Sequence, residues 1–183
     1  MSSYPIHTID TAPEGSKRAL ETLHQAFGMV PNLAATMAGS PPLVNSFVAA
    51  FGQFAGGSFT AAERQILLLS NAVANSCAWA VAFHSTMALK EGADPEDVAA
   101  IRRGQLPREP RHAALSRLTR TLIDKRGHLG AADAEAFRAA GFGQAQLLEV
   151  VTGVAVSTLA NYTGNIADPP LETPFQAQAW KPE

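Results

Sequence analysis

Apolar residues in this chain return at every third or fourth position in one segment after another, and no stretch alternates apolar with polar residues over a convincing strand length. That periodicity confines the fold to helices. Leu20, Leu23 and Phe27 mark the first, over about 14–27, ahead of Gly28 and a turn-like Val30-Pro31-Asn32. Pro41 and Pro42 suit a first helical turn, and Leu43, Phe47, Val48, Phe51 and Phe54 then keep the rhythm until Gly56-Gly57 ends it. Thr60 followed three residues later by Glu63 is a capping-box pattern before the apolar run Ile66 to Leu69. Asn75-Ser76 interrupts that helix and caps the next, from about Cys77 through Lys90 to Gly92. Val98 and Ile101 indicate a short helix. Leu115, Leu118, Leu122 and Ile123 indicate another, ending near Gly127, and an alanine-rich one covers Ala131 to Ala140. The last, from Gln144 to about Ala160, carries Leu147, Leu148, Val151, Val154, Ala155 and Leu159. The expected architecture is an all-α bundle.

The helical domain is expected over 13–167, after a polar, irregular segment at 1–12 and before a Pro-rich tail at 168–183. Fixed proline torsions and missing amide donors argue against a helix or strand in that tail. Its Phe175 and Trp180 call for cover on their own domain or on a neighbouring subunit. A chain of 183 residues can bury roughly 70% of its unfolded surface. Neither a disulfide nor a metal staple is needed, and a single cysteine cannot form an internal disulfide. With 14 Lys+Arg against 16 Asp+Glu and no basic run, nucleic-acid binding is not expected. No apolar stretch approaches the ~20 residues of a membrane span and no signal-peptide profile opens the chain, so the expected location is cytoplasmic.

The chemistry-bearing stretch runs from Thr60 to His84. Cys77 and His84 stand seven residues apart, two turns of one helix face, with Ala80 and Val81 between them. Cys77 at a helix start would feel the positive end of the backbone dipole, which favours thiolate. The plainer alternative is a buried cysteine acting as a small apolar filler. His84 could pass a proton near neutral pH or serve as a hydrogen-bonded histidine in a helix interface. Trp79 could line a pocket or belong to the core. His7, His24, His112 and His128 lack ligand spacing, so no metal site is expected, and no cofactor.

Over this stretch the chain resembles the alkylhydroperoxidase D-like (AhpD-like) proteins of the carboxymuconolactone decarboxylase superfamily, in their peroxidase-related branch. The family pattern is a glutamate, eleven residues, then Cys-x-x-Cys-x-x-x-His. Here the frame aligns without a gap as Gln65, eleven residues, Cys77, Ala78-Trp79, Ala80, three residues, His84. Phe54 through Arg64, Met87 through Gly92, Leu147 through Val151, Asn161-Tyr162 and Ile166 through Asp168 extend the likeness over roughly 15–170. The resemblance implies an AhpD-like helical bundle, reduction of organic hydroperoxides, and a homo-oligomer. In the family the second cysteine is the peroxidatic one, the first resolves it, and glutamate and histidine relay protons.

Ala80 removes the peroxidatic nucleophile, and Gln65 keeps the size of glutamate but cannot accept a proton. A two-cysteine cycle is therefore impossible. Three readings follow from the resemblance. In the first, Cys77 works as a one-cysteine peroxidase with an external thiol reductant, His84 supplies the proton with Gln65 behind it, and Trp79 and Ala80 line the substrate pocket. In the second, the fold is a binding or assembly module that has lost its redox chemistry. In the third and most distant, His84 does acid–base chemistry on a small acidic lactone, as in the decarboxylase branch, with an arginine such as Arg64 holding the carboxylate.

Overall fold

Thr60 and Glu63 close a reciprocal pair at the head of the central helix hairpin. The Glu63 backbone N–H donates to Thr60 Oγ1 at 3.2 Å, and the Thr60 N–H donates to Glu63 Oε2 at 2.9 Å. The computed structural model describes residues 4–182. Among them are nine α-helices: α1 (Glu14–Phe27), α2 (Asn32–Met37), α3 (Pro41–Ala55), α4 (Ala61–Ala74), α5 (Ala78–Lys90), α6 (Pro95–Arg102), α7 (Pro110–Asp124), α8 (Ala131–Ala139) and α9 (Gln144–Ala167), followed by a 3-10 helix at Thr173–Gln178. No strand occurs among the described residues. The architecture is the expected all-α bundle.

Helices α4 and α5 are the centre of the bundle, α4 packing against α5, α7 and α9. Both carry apolar residues around most of their circumference, the mark of a helix surrounded by others. Ile66 to Leu69 on α4 and Ala80 to Ala82 on α5 are all buried. Gly153 lets α9 approach α4 closely, because a Cβ there would sit 2.7 Å from Leu67 Cδ2 and 2.8 Å from Phe54 Cε2.

The break between α4 and α5 is a Schellman turn rather than a simple cap. Ser76 takes the left-handed conformation at φ 52°, its N–H donates to the Val73 carbonyl, and the Cys77 N–H donates to the Ala72 carbonyl. Cys77, with extended backbone, is thereby the residue at which α5 begins.

Three expectations change. The stretch after Val30-Pro31 continues as the short helix α2, since Pro31 ends one extended segment and leaves a free helix start at Asn32. Helix α9 runs on to Ala167, where Asp168 in the left-handed conformation stops it. The tail is not devoid of helix: Pro174 sits in the first turn of the 3-10 segment, where its missing N–H costs no hydrogen bond. The tail then lies on its own domain. Phe175 is buried against Trp79 and Phe83, and Arg102 donates to the Gln178 and Ala179 carbonyls. The Trp180 indole in turn donates to the Arg102 carbonyl.

Candidate functional site

Helix α5 presents successive side chains to different neighbours, and this separates the residues of the expected site. Ala80 and His84, one turn apart, line a cavity of about 40 Å³ together with Trp79 and Phe83. The opposite walls come from α1, α3 and α9, through Phe27, Phe51, Val156 and Ser157. A single water needs roughly 10–15 Å³ of such space, so the cavity has room for a group of a few atoms rather than for a whole organic molecule. Phe27, Phe47 and Phe51 are only partly buried and form its outer edge.

His84 is fixed by Gln65, whose Oε1 lies 2.9 Å from His84 Nδ1. An amide oxygen only accepts, so Nδ1 carries the proton and Nε2 is left with its lone pair and no protein partner among the described residues. Burial pushes the imidazole pKa down to about 3. At neutral pH the ring is therefore neutral: Gln65 adds no negative charge to stabilise a cation, and the surrounding rings add none. Phe83 presses edge-on against it at a centroid separation of 5.1 Å.

The aromatic wall is continuous. Trp79 stacks on Phe83 at 5.1 Å, and Phe83 meets Phe175 at 5.0 Å and Phe27 at 5.6 Å, both edge-on. Trp79 is thus both core and cavity wall. Its indole N–H donates to Glu172 Oε2 at 2.9 Å, while Glu172 Oε1 accepts the Asn32 N–H at 2.6 Å, which clamps the tail to α2 and α5.

Cys77 stands apart from this cavity. It is 1% exposed and does not line it. Its Sγ packs under the backbone of Gly164 on α9, with Leu33 beside it. Of the two alternatives for Cys77, its surroundings are those of the buried one: burial pushes the thiol up from its ordinary value, against the opposing pull of the Ala80 and Trp79 backbone amides. The positive end of the helix dipole acts in the opposite direction and is the smaller effect, because desolvating a thiolate outweighs it. A larger groove of about 630 Å³ opens beneath the tail, lined by Ser76, Ala78, Trp79, Gly164 and Trp180, and it too leaves Cys77 covered. Arg64 donates to the Phe59 carbonyl at 2.6 Å and contributes nothing to the cavity.

The sequence reading missed the aromatic side chains from α1 and α3 and the polar member on α9. Ser157 and Asn161, one turn apart in an apolar helix, were the available signal. Both are buried. Asn161 Nδ2 donates to Ser157 Oγ at 3.2 Å and to Asn71 Oδ1 at 2.8 Å, and Asn75 Nδ2 donates to the same Asn71 oxygen at 2.6 Å.

Residues 41–119 match the model of the carboxymuconolactone decarboxylase family. Among curated proteins, none matches the sequence. Among solved structures, the chain is similar to the alkylhydroperoxidase AhpD core of a peroxidase-related protein from Ralstonia eutropha JMP134, with a TM-score of 0.84 and 21% identity over 100% of this chain and 98% of that one. A peroxidase-related protein from Silicibacter sp. TM1040 gives a TM-score of 0.77 and 17% identity, covering 96% and 93%. The debrominase Bmp8, as a cysteine-to-alanine variant in complex with 2,3,4-tribromopyrrole, gives 0.79 and 16%, covering 97% of each chain.

Proposed function

We propose that this chain, whose residues 41–119 match the carboxymuconolactone decarboxylase family model on a helical scaffold similar to the AhpD core, binds a small, largely apolar molecule without a thiol redox cycle. The observation that carries this reading is the partition of α5. Ala80 and the neutral His84 face an aromatic-walled cavity, whereas the sole thiol of the chain, on Cys77, is sealed under Gly164. An apolar pocket with one or two placed polar groups is the usual form of a small-molecule site. The ligand's body rests at the outer edge among Phe27, Phe47 and Phe51, and its head enters beside Ala80. The loss of both Glu and Cys from the family pattern supports binding over peroxide turnover.

The experiment compares the parent with Ala80→Cys and with the double variant Ala80→Cys, Gln65→Glu. Organic hydroperoxide turnover with a dithiol reductant is expected to be absent in the parent and gained in the double variant. Binding of an apolar ligand, followed by the fluorescence of Trp79, is expected in the parent. A parent as active as the double variant would show that this reading is wrong.

One feature favours the one-cysteine peroxidase as a second reading: the backbone N–H groups of Trp79 and Ala80, at the start of α5, act to lower the Cys77 pKa against burial and would steady a thiolate if the site opened. That reading requires α9 or the tail to move away from Cys77 first. Its mark would be sulfenic acid at Cys77 after treatment with a stoichiometric organic hydroperoxide, trapped with dimedone.

A further inference from the structure

Among the described residues that line the cavity, two carry polar side-chain groups besides the Trp79 indole, which is committed to Glu172: His84 and Ser157. Their hydrogen-bonding roles are fixed by their neighbours. Gln65 Oε1 holds the proton on His84 Nδ1, which makes Nε2 an acceptor. The role of Ser157 follows from the asparagine network. Asn75 donates to both oxygens of Asn71, so Asn71 Oδ1 is an acceptor, and the Asn161 nitrogen beside it must be the donor to Ser157 Oγ. Ser157 therefore accepts from Asn161, and its own hydroxyl proton is not consumed there.

Nor is that proton consumed within the helix. Thr158 and Thr163 on α9 donate back to the carbonyls of Val154 and Leu159 at 2.7 and 2.8 Å, the ordinary fate of a hydroxyl in a helix. Ser157 makes no such bond, although it is 2% exposed and needs an acceptor as much as any buried donor does. The cavity thus offers one acceptor, His84 Nε2, and one donor, the Ser157 hydroxyl, in a space sized for a small head.

We propose that Ser157 is a specificity-determining residue of this cavity, selecting a ligand whose apolar body ends in a hydroxyl-type head that accepts from Ser157 and donates to His84 Nε2. The inference rests on the reading that the cavity binds small apolar molecules, and it names the ligand's polar end. Alcohols and organic hydroperoxides share this head chemistry. A carboxylate does not: it has no proton to offer Nε2, and no cationic side chain among the described residues lines the cavity.

The test uses two isosteric probes, 2-phenyl-2-propanol and tert-butylbenzene, which differ by hydroxyl against methyl, with cumene hydroperoxide as a third. Affinities are measured by calorimetry or ligand-observed NMR on the full chain. Ser157→Ala is expected to weaken 2-phenyl-2-propanol about five- to tenfold, the loss of one buried hydrogen bond, while tert-butylbenzene changes by less than twofold. His84→Phe is expected to show the same pattern, and Ser157→Cys, a weaker donor of similar size, an intermediate loss. The hydroperoxide losing more than the alcohol in Ser157→Ala would identify the peroxide as the better-fitting head, and the reverse would identify the alcohol. Equal effects of Ser157→Ala on alcohol and hydrocarbon, or none on either, would overturn the proposal while leaving cavity binding standing. Failure of all three probes to bind the parent would remove both.

Discussion

The sulfur of Cys77 and the α-carbon of Gly164 are in such close contact that a methyl group on Gly164 would lie 2.7 Å from Sγ. This contact locks the start of α5 to the last turns of α9, and it explains why the chain's only thiol is hidden while the residue one turn later, Ala80, faces a cavity.

Gly164→Ala should therefore be destabilising, although alanine is the better helix former by about 1 kcal/mol. The clash with Sγ, and a second approach of 3.2 Å to Leu33 Cδ1, should leave a net loss of about 1–2 kcal/mol. Cys77→Ala in the same chain removes the sulfur and should recover part of that loss. Denaturant unfolding of the two single variants and the double variant measures the coupling, and strictly additive losses would deny the contact.

The buried thiol should react slowly. Alkylation of Cys77 by iodoacetamide at pH 8 in the native protein is expected to run at least about 100-fold slower than in the unfolded chain, because the reagent meets thiolate only after local opening. Rates within a few-fold of each other would place the sulfur in contact with solvent.

His84 predicts an acid-sensitive fold. Its folded-state pKa, about 3, lies below the ordinary value of 6.5, so the unfolded chain binds a proton that the folded one refuses. Stability from this group is present above pH 6.5 and is lost as pH falls from there toward 3. The full loss is on the order of a few kcal/mol. His84→Gln should flatten the stability profile between pH 6.5 and 5. That window lies above the range of Glu63: burial raises that carboxyl, but the Thr60 amide and Arg111 together hold it below its ordinary value. An unchanged slope in His84→Gln would remove the neutral buried histidine from the account.

The tail clamp is separately testable. Glu172→Ala strips the acceptors from the Trp79 indole N–H and the Asn32 amide at once, with an expected cost of about 1–3 kcal/mol. Loosening of the 3-10 segment should expose Trp79 and shift its emission to the red. Trp180, which donates to the Arg102 carbonyl and not to Glu172, serves as the internal reference when replaced by Phe.

Local sequence determined the helices and most of their ends. The Thr60–Glu63 box, the prolines at Pro41 and Pro95, and the glycine after Phe27 act within a few residues of themselves, so their effects are written in the chain. The same locality made the alignment of Gln65, Cys77, Ala80 and His84 legible, since a helix repeats on a fixed turn. What the chain could not state is which side of α5 faces open space. That was decided by α9, where Gly164 admits the Cys77 sulfur to a sealed contact and Ser157 reaches the cavity that His84 lines. The electrostatics followed from the same packing: a helix dipole is a property of α5 alone, but the desolvation that raises the thiol and neutralises the imidazole comes from helices distant in sequence, and desolvation is the larger effect.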